Sequence, residues 1–137
     1  MTQLQRQGRR TNSGPGRILV AVYAVFAISA SARAGVQLAT KFSEAPVAYL
    51  LSAAAALVYV VATVTLARGT LDSRRWATAA IVVELVGVLT VGTLSVFDAA
   101  AFPRATVWSV YGIGYGFVPL VLPVLGLLWL RATRPRP

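Results

Sequence analysis

Four long apolar runs alternate with short polar, arginine-rich segments along the chain. The runs are residues 18–40, 47–67, 76–97 and 109–130, each 21–23 residues long. A helix of that length crosses the hydrocarbon of a bilayer. The pattern predicts an all-α fold: a four-helix transmembrane bundle over residues 18–130, N-in/C-in, as one membrane domain. Residues 1–17 read as a disordered basic cytoplasmic tail, being polar, basic and rich in Gly and Pro with no apolar period. Residues 131–137 read as a second basic cytoplasmic tail. The connectors at 41–46, 68–75 and 98–108 carry the turn-forming and charged residues, among them Pro46, Gly69 and Pro103.

Composition agrees with this pattern. Hydrophobic residues make up 57% and charged residues 12% of the 137, far from the balance of a soluble domain. The net charge of +9 would suggest a nucleic-acid partner if it lay on one soluble face. It sits instead beside the apolar runs: Arg6, Arg9, Arg10 and Arg17 before the first, Arg68, Arg74 and Arg75 between the second and third, and Arg131, Arg134 and Arg136 after the fourth. The opposite side carries only Lys41 and Arg104. This asymmetry is a topology signal that puts both termini in the cytoplasm of a multi-pass plasma-membrane protein, and no nucleic acid is expected as a partner. Trp76 and Trp129 then fall at the inner interface, and Trp108, Tyr111 and Tyr115 near the outer one. A second reading of the N-terminus stays open. The basic start, the apolar stretch 18–28 and Ala32-Arg33-Ala34 before Gly35 also fit a secretory signal peptide over residues 1–34.

The chemistry available is narrow. There is no cysteine and no histidine, which removes disulfides, thiolate chemistry and the commonest metal ligands. No metal or cofactor is implied. The four acidic residues lie in four separate segments, and Gly112-Ile113-Gly114-Tyr115-Gly116 lacks the strand and the Gly-Lys-Ser/Thr of a phosphate loop. A non-enzymatic protein is expected.

One carboxylate, Glu84, lies near the middle of the third run, where it is costly unless paired, protonated or wetted. It shares a helical face with Ala77, Ala80, Gly87, Val91 and Ser95, small or weakly polar residues that should point into the bundle. Its natural partner is Arg33 of the first run, which shares a face with Ser29, Gln37 and Thr40. Ideal helices place the two at heights that differ by ~10 Å. A direct pair is one option, and a bridge through water or Tyr59 of the second run is another. Arg33, Glu84, Tyr59 and Gln37 are therefore the candidate buried polar site. The reading ranges from an ion pair that fixes helix packing to a proton- or cation-coupled site. In the fourth run Gly112, Gly116, Pro119, Pro123 and Gly126 recur at intervals of four and three and form one small-or-proline seam. That seam predicts close helix packing, within the protein or between copies, and a kink at Pro119/Pro123.

The segments KFSEAPVAYLLSA, VVELVGV, TVGTLS and ATVWSVYGIGYGFVPLVLPVLGLLWL together resemble a family of small four-helix integral membrane proteins of high-GC Gram-positive (actinobacterial) bacteria, usually described only as "integral membrane protein". The resemblance covers roughly residues 18–130 and implies an actinobacterial plasma membrane. The chain is also similar in size to small multidrug-resistance transporters. Their membrane glutamate is in the first helix, whereas Glu84 is in the third. The expected function is contact between helices, as an accessory subunit or homo-oligomer in the lipid bilayer. The alternative is a small homo-oligomeric proton-coupled transporter with Glu84 as the coupling carboxylate.

Overall fold

The computed structural model describes residues 11–98, 100 and 106–134; residues 1–10, Arg104 and residues 135–137, where part of the expected basic signal lies, fall outside the described residues. Among the described residues the fold is all-α. Helix α1 spans Pro15–Thr40, α2 Pro46–Arg68, α3 Leu71–Phe97 and α4 Val118–Ala132. Short 3₁₀ turns at Phe42–Glu44 and Ser109–Tyr115 join α1 to α2 and precede α4. Helices α1, α2 and α3 are each long and apolar enough to cross a membrane. The fourth apolar run is a bent pair, with the 3₁₀ turn and α4 set 99° apart.

Two helix starts fall outside the apolar runs, for local reasons. Helix α1 begins at Pro15 rather than at residue 18, with proline in its first turn, where its fixed φ suits the helix and its missing N–H is no loss. Helix α3 begins at Leu71, so residues 71–75 of the expected connector are helical. Gly69 closes α2 in a left-handed conformation, and Thr70 and Ser73 then form a reciprocal capping box that satisfies two of the orphan N–H groups of α3.

Residues 11–17 of the expected tail lie among the described residues, and they make specific contacts with the bundle. The Thr11 hydroxyl donates to the Leu66 carbonyl at 2.6 Å and the Asn12 amide to Ala67 at 2.7 Å, capping the end of α2. The Trp129 indole N–H donates to the Thr11 carbonyl at 2.9 Å. Arg74 donates to the Leu130 carbonyl and to the Thr133 hydroxyl, so a cation closes the C-terminal end of α4. The starts of α1 and α3 and the ends of α2 and α4 are thereby tied together at the arginine-rich end of the bundle.

The core is inverted relative to a soluble bundle. The buried positions are dominated by small side chains, among them Ala27, Ala55, Ala62, Ala77 and Ala80, with Tyr23, Tyr59 and Trp108 set between them. The large aliphatics face outward; Ile18 is 70% exposed, Leu57 64% and Leu128 58%. Water would penalise that surface heavily, but hydrocarbon does not, and small residues inside let the helix backbones approach. The arrangement is consistent with a membrane protein.

Consecutive helices pack side by side, α1 on α2, α2 on α3, α3 on α4. Helices α1 and α4 touch at few points, so the ring is left open along one seam.

Candidate functional site

Glu84 is fully enclosed, at 0% exposure, about 20 Å along α3 from Leu71. Its expected partner is elsewhere. The Tyr23 hydroxyl, reaching across from α1, donates to Glu84 Oε1 at 2.5 Å, and Oε2 has no hydrogen-bond partner among the described residues. The Tyr23 hydroxyl also lies near Gly126 of α4, where a Cβ would come within 3.4 Å of it and within 3.0 Å of the Ile81 side chain. Gly126 is therefore the notch that lets α4 close over the Glu84–Tyr23 pair.

Arg33 and Glu84 do not pair directly; each takes a different partner. The Arg33 guanidinium donates instead to the Tyr115 hydroxyl in the 3₁₀ turn. Tyr59 does not bridge the two either. Its hydroxyl accepts from the Trp108 indole N–H at 3.1 Å, and its ring lies 6.2 Å from that of Tyr23. Between the two polar groups stands Phe26, its ring centroid 5.4 Å from Tyr59 and 5.8 Å from Tyr115. One candidate polar site thus resolves into two, an acidic one around Glu84 and a cationic one around Arg33, with an aromatic spacer between. Gln37 joins neither pair. It is half-buried one turn beyond Arg33, and its Oε1 is without a partner among the described residues.

Residues 106–117, read from sequence as loop and helix start, carry Tyr115 to Arg33 and pack against α3. The Thr106 and Ser109 side chains hydrogen-bond each other and the local backbone, and Val110 N–H donates to Ser95 Oγ of α3 at 2.8 Å. Three consecutive residues, Val110, Tyr111 and Gly112, then take positive φ (48°, 59° and 84°), and Gly116 and Phe117 do so again at 63° and 61°. A β-branched residue in that region is strained. The compensation is visible in the rings it delivers. Trp108 seats on Gly87 and Tyr111 on Gly92, two notches in α3 that a Cβ at either position would fill. The Tyr111 hydroxyl also hydrogen-bonds Thr93 at 2.8 Å. Trp108 is 4% exposed, so it is a core residue and not the outer-interface anchor expected of it.

This geometry also corrects the fourth-helix kink and its seam. The chain bends ahead of α4, at Gly116 and Phe117, not at Pro119 and Pro123. Pro119 sits in the first turn of α4, where proline is tolerated, and Pro123 lies within the helix. Gly112 lies against Pro119, while Gly116 is exposed with positive φ. Pro119, Pro123 and Gly126 are buried, and Gly126 meets Ile81 of α3; the seam is interrupted and its α4 part turns inward.

Two cavities complete the picture. A recess of ≈ 20 Å³ is lined by Phe26, Ser29, Ala30, Arg33, Ser52, Val107 and Tyr115. A groove of ≈ 770 Å³ runs along the open seam, between Ile18, Leu19 and Val22 of α1 and Val121, Leu125 and Leu128 of α4. Glu84 lines neither. Among the described residues no group of three or more acidic side chains gathers to hold a metal ion. No family model, curated protein or solved structure matches the chain.

Proposed function

We propose that this chain is a non-enzymatic, multi-pass membrane protein that works by helix contact, receiving an apolar transmembrane helix of a partner subunit in the groove between α1 and α4. The observation that carries the reading is the groove itself. Three of the four sides of the bundle are closed by packed helices, and the fourth is a long apolar trough. In a bilayer no hydrophobic force drives helices together, so association depends on shape and close packing. A trough offers a helix contact on two walls, where a flat face offers one. The inward turn of the α4 small residues removes them as a surface for association and leaves the groove as the better candidate. Placement in an actinobacterial plasma membrane with both termini cytoplasmic rests on the sequence resemblance and on the arginine asymmetry.

The chain has no cysteine, so one introduced at Leu125 is the only thiol. Oxidation or bifunctional cross-linking in native membranes is expected to give a discrete adduct, with a second copy or another membrane protein. Leu125→Trp, which fills the trough, should abolish that adduct formed from a cysteine at the adjoining Val121. A chain that stays monomeric in native membranes and in mild detergent, with no adduct at either position, would rule the reading out.

A second reading is favoured by one feature, the Oε2 of buried Glu84, which has no hydrogen-bond partner among the described residues. It is that of a small proton-coupled transporter in which Glu84 exchanges a proton. Its test is flux in liposomes. Glu84→Gln should remove pH-dependent uptake, and unchanged uptake would take Glu84 out of any mechanism.

A further inference from the structure

The groove between α1 and α4 does not run the full height of the bundle. On α4 its wall extends from Ala132 to Val118 and stops at Gly116, where the chain bends by 99°. On α1 the wall runs only from Pro15 to Val22. At the rise of a helix the α4 wall is ~21 Å long, whereas α3 is ~40 Å. One leaflet of a bilayer contributes ~15 Å of hydrocarbon. The groove is therefore about one leaflet deep, open at the arginine-rich end and closed near mid-height. Its side-chain lining is apolar except for the Trp129 indole N–H, which donates to the Thr11 carbonyl. Charge stands at the mouth. Arg17 lies between Pro15 and Ile18 of the α1 wall, and Arg131 between Trp129 and Ala132 of the α4 wall. Both are exposed, and Arg134 is exposed just beyond them. Of the four acidic residues only Asp72 is at this end, and it sits in the first turn of α3, on neither wall.

A transmembrane helix and a lipid make different demands on such a trough. A spanning helix runs ~30 Å, so the trough would hold only one half of it. A lipid acyl chain ends at the middle of the bilayer, as the trough does. Its headgroup then lies level with Arg17 and Arg131, and a guanidinium can grip a phosphate with two parallel hydrogen bonds. Basic pockets between membrane helices recognise anionic headgroups in this way. Trp129 marks the same level, since indole rings favour the interface.

We propose that the α1–α4 groove is a binding site for one anionic phospholipid of the leaflet at the arginine-rich end. Its acyl chain lies on Leu19, Val22, Leu122 and Leu125, and its phosphate on Arg17 and Arg131. This goes beyond the partner-helix reading and bears on its regulation, because a partner helix must displace the lipid to dock.

The test is lipid retention by the full chain, purified in mild nonionic detergent and measured by native mass spectrometry. The probes are phosphatidylglycerol and phosphatidylcholine with identical acyl chains. One phosphatidylglycerol per chain is expected, held roughly tenfold or more tightly than phosphatidylcholine. Arg17→Gln and Arg131→Gln should each weaken it roughly fivefold. Leu125→Trp, which fills the trough and leaves every charge in place, should remove the selective site. Arg68→Gln and Arg75→Gln, at the same end but on α2 and α3, should change nothing. Equal retention of the two lipids overturns the inference. So does an equal loss in the Arg68 and Arg75 variants, which would mark a diffuse surface charge, or selectivity that survives Leu125→Trp. A second copy seated in the groove overturns it too; it would show as a dimer whose cross-link through Leu125→Cys phosphatidylglycerol does not suppress. The partner-helix reading is judged by its own adducts in native membranes, so the two can fail separately.

Discussion

Trp108→Ala is expected to destabilise the folded bundle by about 3 kcal/mol, near the lower end of the range for emptying a buried aromatic site. Three losses combine. The indole ring occupies the notch at Gly87, and its removal leaves a void between α3 and the 106–117 segment. The fully buried Tyr59 hydroxyl loses the N–H that it accepts at 3.1 Å. The strained backbone at Val110 and Tyr111 loses one of the two rings that hold it down. This segment holds strained, non-helical backbone, so it should loosen before any helix does. Trp108→Phe separates the terms. It keeps most of the ring and deletes the hydrogen bond, and should cost only about 1 kcal/mol. Reversible unfolding in mixed micelles measures both variants. A Trp108→Ala chain as stable as wild type would mean that the 106–117 segment is not anchored in the bundle.

That anchor also marks where the sequence stops being readable. The first three helices, each long and apolar enough to cross a membrane, are legible because hydrocarbon would leave the backbone of such a run no alternative to helix. Their ends are harder. Leu71 to Arg75 look like a polar connector until Thr70 and Ser73 are seen as a cap, three residues apart after a glycine. The fourth run satisfies every composition test for a straight span, yet Gly112, Gly114 and Gly116 followed by Pro119 allow a turn as readily as a packing seam. Periodicity cannot choose between them, because both want small residues at the same spacing. What decides is the pair of aromatic rings that fit two glycine notches on another helix, and that is a tertiary fact. The polar site fails for a related reason. Opposite charges attract on paper, but Arg33 and Glu84 stand at different heights with Phe26 between them. Tyr23 gave a usable signal, the one hydroxyl in the apolar stretch 18–28 of α1 at a height near that of Glu84, and charge pairing drew the reading past it.

The absence of an ion pair makes a sharper prediction for Glu84 itself. An interhelical hydrogen bond in a bilayer usually contributes about 0.6–1.7 kcal/mol. Tyr23→Phe should cost more, about 2 kcal/mol, because the fully buried carboxyl then has no donor at either oxygen among the described residues. Glu84→Leu should cost little or stabilise the protein. It removes the polar group and its unmet hydrogen bond together, replaces it with a side chain of similar volume, and asks only that the Tyr23 hydroxyl find another acceptor. In the Glu84→Leu background Tyr23→Phe should therefore be nearly neutral or favourable. The double-mutant cycle would then give a coupling of about 2 kcal/mol confined to one pair. A cycle that closes near zero would deny that the two side chains interact. A Glu84→Leu chain that unfolds more readily than Tyr23→Phe would mean that Oε2 has a structural partner after all. If the cycle comes out as expected, the bundle would be more stable without its acid, and an acid retained against stability has some other work to do. Glu84→Leu and Glu84→Gln then become clean tools, since each should leave the fold intact while changing what the buried position can exchange.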